Sequence, residues 1–370
     1  MILLAAVVAA AVLACGGAPE AATPAATAAK PTAAAVVAKP KPLQVALLTN
    51  GPITDSGFNQ AHADAMKQVE QKFGDRVAVR VIGSVPETGD AERIMQRLID
   101  NKVDLIIAAS FGYQDTSVKL AATNGKVKFL QAWGFKPAPN LGTYSSQMYE
   151  AWYVQGIIAG RMTKSNRLGI VAAHPIPPMK WQINAFVRGA RSVNPNVRAR
   201  VAYINHWFDP GLAAAAADAL ISQRCDVITG VLDNSVAVAQ TAQKRKTYLI
   251  GHNTDLSKFA PDVTLSGTQW VWGQLYIDAI DRIGQNAWNS QQDLHGGFGK
   301  GYVAVTGFGP MVPASVRKEA ETAIARFADG SLSVYTGPIR DNKGKTVVAA
   351  GKTLTHGEIM GIDWLVEGVR

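Results

Sequence analysis

From Leu43 onward, short uninterrupted apolar runs alternate with longer segments whose apolar positions recur at helical spacing. "LQVALLTN", "VAVRVIGS", "VDLIIAAS" and "VKFLQAW" come first; "LGIVAAHP", "VRARVAYI", "DVITGV" and "TYLIGH" follow. Runs of this kind, bounded by Gly, Pro or polar residues, predict strands buried on both faces, the pattern of a parallel sheet covered by helices. The pattern also occurs twice. "VAVRVIGSVPETGDAERIMQRLIDNKVDLIIAAS" aligns with "VRARVAYINHWFDPGLAAAAADALISQRCDVITGV": strand, acidic cap region, helix, then Asp and an apolar strand. A period of about 120 residues means a duplicated domain rather than a solenoid.

The prediction is therefore an α/β chain of two lobes, each a parallel sheet flanked by helices, over residues 43–148 and 168–264. Residues 149–167 form a crossover helix region, and residues 265–370 hold crossover segments and C-terminal elements that return to both lobes. The "YEAWYVQG" helix and the strand near Thr264 are expected beside the hinge.

In open α/β sheets ligands bind beyond the carboxyl ends of the strands, so the cleft residues can be read from the strand ends. Asp55, Phe58 and Asn59 follow the first strand; Phe111, Tyr113 and Asp115 follow the third; Trp133 closes the fourth. In the second lobe Trp181 stands at a loop or helix start. Trp207 lies in "INHWFDPG", where Asp209 is placed to cap a helix that Pro210 begins. Asp233 and Asn234 follow "VITGVL", Asn253 and Asp255 follow "YLIG", and Gln269 and Trp270 end "VTLSGTQW". Packing and turn formation compete with ligand contact for each of these: Asp233 and Asp255 suit turns, and Trp270 suits a core.

Composition narrows the class. The chain has 370 residues, 48% hydrophobic and 18% charged, with a formal net charge of +9. Its cations are scattered singly apart from "KRK" at Lys244–Lys246, which indicates a solvated surface and no nucleic-acid groove. "MILLAAVVAAAVLAC" is an apolar run of about 14 residues, too short to span a bilayer, and reads as a signal peptide over residues 1–15. It lacks the usual basic n-region, consistent with a start codon further upstream. Its ending, "VLAC", is similar to a bacterial lipobox with Cys15 as lipid acceptor, although Val12 and Leu13 depart from the usual residues there. The Ala/Pro/Thr-rich segment 16–42 is a tether with too little apolar surface to fold alone. The expected location is the outer face of the cell membrane, or the periplasm. Only Cys225 remains in the folded part, as a small buried hydrophobe.

Four motifs resemble the basic membrane protein family of bacterial solute-binding lipoproteins. They are "TDSGFNQ", "YEAWYVQGIIAG", "NAFVRGARSVNPN" and the C-terminal "GKTLTHGEIMGIDWLVEGV". The resemblance implies a two-lobed periplasmic binding protein type I fold, clamshell closure, a monomer without cofactor, and delivery of ligand to an ABC permease. It further implies a purine base or nucleoside held between aromatics of the two lobes. Carried over, Phe58 and Asn59 sit in the first-lobe motif and Trp207 replaces the second-lobe aromatic. Asn59, Asp115, Asp233 and Asn253 are the expected polar contacts. The family's Gly-Val-Asp and the Lys of the next strand, which serve ribose, read here Gly251-His252-Asn253 and Gln269-Trp270. Loss of that charged pair favours a free base such as adenine over a nucleoside.

Rival classes fit less well. The chain has no phosphate-loop, His-Glu-x-x-His, Cys-x-x-Cys or Gly-x-Ser-x-Gly motif, which argues against a nucleoside-processing enzyme. His206 and His252 lack the fixed spacing of a metal pair. A transcription regulator would need a helix-turn-helix where the signal and tether stand. An amino-acid receptor on the same fold would need groups for an ammonium and a carboxylate, whereas these strand ends carry aromatics and amides.

Overall fold

Continuous apolar runs become the interior strands of two sheets in the computed structural model, which describes residues 41–291 and 294–370. The signal peptide, Cys15 and nearly all of the tether lie outside the described residues. The first lobe alternates β1 (Leu43–Thr49), α1 (Phe58–Phe73), β2 (Val77–Ile82), α2 (Gly89–Asp100), β3 (Leu105–Ala109), α3 (Gln114–Thr123), β4 (Lys128–Ala132) and β5 (Leu141–Ser146). α4 (Met148–Met162) crosses to the second lobe. There follow β6 (Arg167–Ala172), α5 (Pro177–Val193), β7 (Arg198–Tyr203), α6 (Pro210–Ser222), β8 (Val227–Val231), α7 (Val236–Arg245), β9 (Tyr248–Gly251) and β10 (Thr264–Trp270).

The sheets share one topology. Their orders are β2-β1-β3-β4-β5 and β7-β6-β8-β9-β10, parallel throughout, which is the duplication seen in the sequence. Alternate residues of β1 serve opposite faces: Val45 and Leu47 join the core shared with α1, while Ala46 and Leu48 pack with the residues of α2 and α3. Burial of both faces explains why these strands show no polar alternation. The second sheet runs past residue 264, because β10 pairs with β9 as its fifth strand.

The chain crosses between lobes three times. α4 leaves the first sheet and packs on α5 and β10 of the second lobe. α8 (Trp272–Gly284) leaves β10 and returns to pack on α1, where Tyr276 Oη meets His62 Nδ1. Then β11 (His295–Gly296) adds to β5, and β12 (Val303–Val305) adds antiparallel to β10. Exchange of helices ties each lobe to the other's last strand. The α4–α5 crossing is close because it is built on glycine: a Cβ at Gly156 would lie 2.1 Å from the Phe186 carbonyl oxygen, and one at Gly189 would lie 2.0 Å from that of Tyr153. The C-terminal residues return to β7, with Arg370 N–H donating to Ala199 O at 2.8 Å.

Candidate functional site

The strand-end loops of both lobes converge on a narrow interlobe cavity of about 20 Å³. Phe58 and Trp133 line it from the first lobe; Trp207, Asp233, His252, Asn253 and Trp270 line it from the second. Phe58 is the first residue of α1, and its ring lies against Trp133 at 5.1 Å with 24° between planes. Trp270 meets the edge of Phe58 at 6.0 Å and stacks on Trp272 at 4.7 Å. Trp207, in the loop between β7 and the Asp209-capped α6, packs edge-on against His174 at 4.8 Å. Trp133 has a φ of 47°, the left-handed region that costs a bulky residue energy, and its Nε1 is buried with no hydrogen-bond partner among the described residues.

The lobes touch directly at the cavity's edge. Phe58 N–H donates to the Asp233 carbonyl oxygen at 2.8 Å, Thr254 Oγ1 donates to Ser56 O at 2.7 Å, and Asn234 Nδ2 donates to Asp55 O. A Cβ at Gly57 would stand 1.9 Å from that same Asp233 oxygen, so only glycine admits this approach.

The polar residues divide into those that face the cavity and those that hold it. Asp55 accepts from the N–H groups of Gly57, Asn59 and Gln60 at 2.7, 3.2 and 3.0 Å and from Asn59 Nδ2 at 2.8 Å. It anchors the start of α1; burial raises its pKa against the pull of those bonds. Asn59 Oδ1 accepts from Gly51 N–H at 3.2 Å, so its amide is spent on the loop. Asn253 Nδ2 donates to Leu232 O and Asp233 O at 2.7 and 2.9 Å, and its Oδ1 accepts from Trp270 Nε1 at 2.7 Å. Its side chain thus sets the indole's orientation. Asp233 is buried, accepts from Asn50 Nδ2 at 3.2 Å, and is pushed up to about 8 by burial first and by Asp55 second. His252 Nδ1 bonds Thr268 Oγ1 at 2.6 Å, and burial drives it down to about 3, so it is neutral.

Four expected contacts lie elsewhere. Asp115 is exposed and ion-paired with Lys136 at 3.0 Å. Trp181 is in the core, edge-on to Tyr149 at 5.7 Å, because it sits inside α5 on the face turned toward α4. Tyr113 is buried with its hydroxyl on Val85 O. Asp255 is exposed and caps Ser257 N–H at 2.9 Å. Trp133, one of the strand-end residues read from the sequence, does line the cavity wall, and so does His252, which the sequence offered only as an unconvincing metal ligand. Their signal in the sequence is position alone: each directly follows a strand of the sheet.

Residues 43–327 match the family model of PnrA-like ABC transporter substrate-binding proteins. The chain belongs to that family. It is a binding protein rather than an enzyme; family members work outside the cytoplasm and serve a membrane permease. It is 38% identical over 327 residues to a purine-binding protein of Brucella abortus (strain 2308), covering 88% of this chain and 93% of that one. It is 31% identical to a putative ABC transporter glucose-binding protein of Haloferax volcanii, over 77% of this chain and 72% of the other. A solute-binding protein of an ABC transporter system from Aeropyrum pernix K1 shares the fold with a TM-score of 0.69 at 16% identity, over 86% of this chain and 95% of that one. Among the described residues no helix is long and apolar enough to cross a membrane, and no His/Cys/Asp/Glu cluster suits a metal.

Proposed function

We propose that this protein captures a purine as the free base, between its two lobes, and delivers it to the permease. The observation that carries the choice of base over nucleoside is the 2.7 Å bond from Trp270 Nε1 to Asn253 Oδ1. At the two positions where the family resemblance places ribose partners, this chain has an indole and an amide that satisfy each other. A ribose entering there would leave its hydroxyls unpaired against an indole, a cost of about 1–3 kcal/mol for each buried group left unsatisfied. The rings of Phe58, Trp133 and Trp207 supply faces for a planar heterocycle, each stacked base being worth roughly 1–3 kcal/mol. The purine-binding relative at 38% identity supports the same ligand class. No Lys or Arg lines the cavity, which disfavours an amino-acid carboxylate as ligand. Mass spectrometry of small molecules released from protein purified without added solute tests the reading. Adenine or another free purine base is expected; an amino acid or a sugar in stoichiometric amount overturns it.

Attachment to the membrane through a lipid on Cys15 belongs to the same proposal. It rests on the "VLAC" ending and the Ala/Pro tether that follows.

A further inference from the structure

Two carboxyl groups are buried where the lobes meet, and Asn59 bonds Asp55 while lying against Asp233. Asp55 has four N–H donors from the start of α1, an arrangement that stabilises a carboxylate. Asp233 has far less support, its principal donor being Asn50 Nδ2 at 3.2 Å. The other titratable groups around it bring no positive charge. Glu87, from the loop before α2, adds a second negative field, and Tyr113, beyond β3, is kept protonated by burial. His252, beyond β9, is neutral through burial, and burial also lowers His174, beyond β6. Burying two like charges side by side disfavours ionising both, and the group with fewer donors takes the proton.

We propose that Asp233 meets the ligand as a neutral carboxylic acid and thereby selects a purine edge carrying an amino group beside a bare ring nitrogen. This rests on the purine reading above. A neutral carboxyl presents one O–H donor next to one carbonyl acceptor. The 6-amino edge of adenine presents the complement: N–H into the carbonyl, and a ring nitrogen that accepts the O–H. An edge of two N–H donors, such as N1–H with the 2-amino group of guanine, fits an ionised carboxylate instead. Asp233 stands in the cavity wall, so the proton decides which edge is bound.

The test is calorimetric titration of the full chain with adenine across pH. With Asp233 titrating at about 8 in the free protein, affinity falls about tenfold between pH 7 and pH 9, and binding at pH 8 takes up about half a proton. Proton uptake is read from two buffers of different ionisation enthalpy. Asp233→Asn keeps a donor beside an acceptor at every pH and is expected to flatten the profile. Should that variant fail to fold, the wild-type buffer pair decides alone. A flat wild-type profile without proton uptake overturns the neutral acid while leaving the purine reading standing. Binding of guanine in preference to adenine at pH 7 does the same. Failure to bind any purine overturns both.

Discussion

At Phe58 backbone and side chain serve different partners: the N–H holds Asp233 of the other lobe at 2.8 Å, and the ring lies on Trp133 of its own. Phe58→Ala therefore removes a ring face while keeping the interlobe bond. We expect it to weaken adenine binding by roughly 1–3 kcal/mol, and Trp207→Ala by a similar amount, each measured by calorimetry. Unchanged affinity in both would show that neither ring touches the ligand. Trp270→Ala should act differently, because it opens the space its indole fills beside Asn253. The expected outcome is at least a tenfold shift in the adenosine-to-adenine affinity ratio toward the nucleoside; an unmoved ratio would mean the indole does not exclude ribose. The residue scale is also where the sequence is least legible. Asp55 and Asn59 stand at a strand end, as ligand groups do, yet their polar atoms are spent on the α1 loop. An Asp that holds a helix start and an Asp that holds a ligand look alike in a sequence. The difference lies in which donors the fold brings to them.

Elements were far easier to read. The interior strands of both sheets follow from the continuous apolar runs, whereas the edge strands β2 and β7 are only partly buried and β5 carries no such run. Asp209 caps α6 with Pro210 at its first position, as the local sequence dictates. Trp181 marks where element reading stops short: it lies inside α5, whose α4-facing side is buried by the Gly156 and Gly189 crossing, a tertiary contact with no local signature. The loop–loop latch at Gly57 is equally invisible without the partner lobe. It carries a sharp expectation. Gly57→Ala places a methyl group 1.9 Å from the Asp233 carbonyl oxygen, so the lobes cannot close while each still folds. Affinity for the ligand should drop at least tenfold, with a larger radius of gyration by small-angle scattering and little change in thermal midpoint. Unchanged affinity and radius would show that the latch has slack.

For the whole molecule, buried carboxyls link stability to pH. Glu150, at the start of α4, is pushed up to about 7 by burial, and its carboxylate oxygen accepts from Phe298 N–H at 2.9 Å. Asp233 is pushed up to about 8. Both folded values exceed the unfolded ones, so the folded state binds more protons in between. The stabilisation is complete below about pH 4 and is lost as pH rises through 7 and 8. The thermal midpoint should thus fall from pH 5 to pH 8.5, and Glu150→Gln should blunt the fall; a rising midpoint would contradict the burial of both groups. At the same scale, Cys15→Ala should release a folded, soluble protein from membranes, and wild type that never incorporates labelled fatty acid would refute the anchor. What is particular to this chain is the solute held between its lobes. Side-by-side calorimetric titration of the wild-type protein with adenine, adenosine, guanosine and glucose at pH 7 decides it. Adenine should bind at least tenfold more tightly than either nucleoside, with no heat from glucose. Nucleosides binding tenfold more tightly than adenine would contradict the free-base site, and saturable glucose binding without purine binding would contradict a purine receptor altogether.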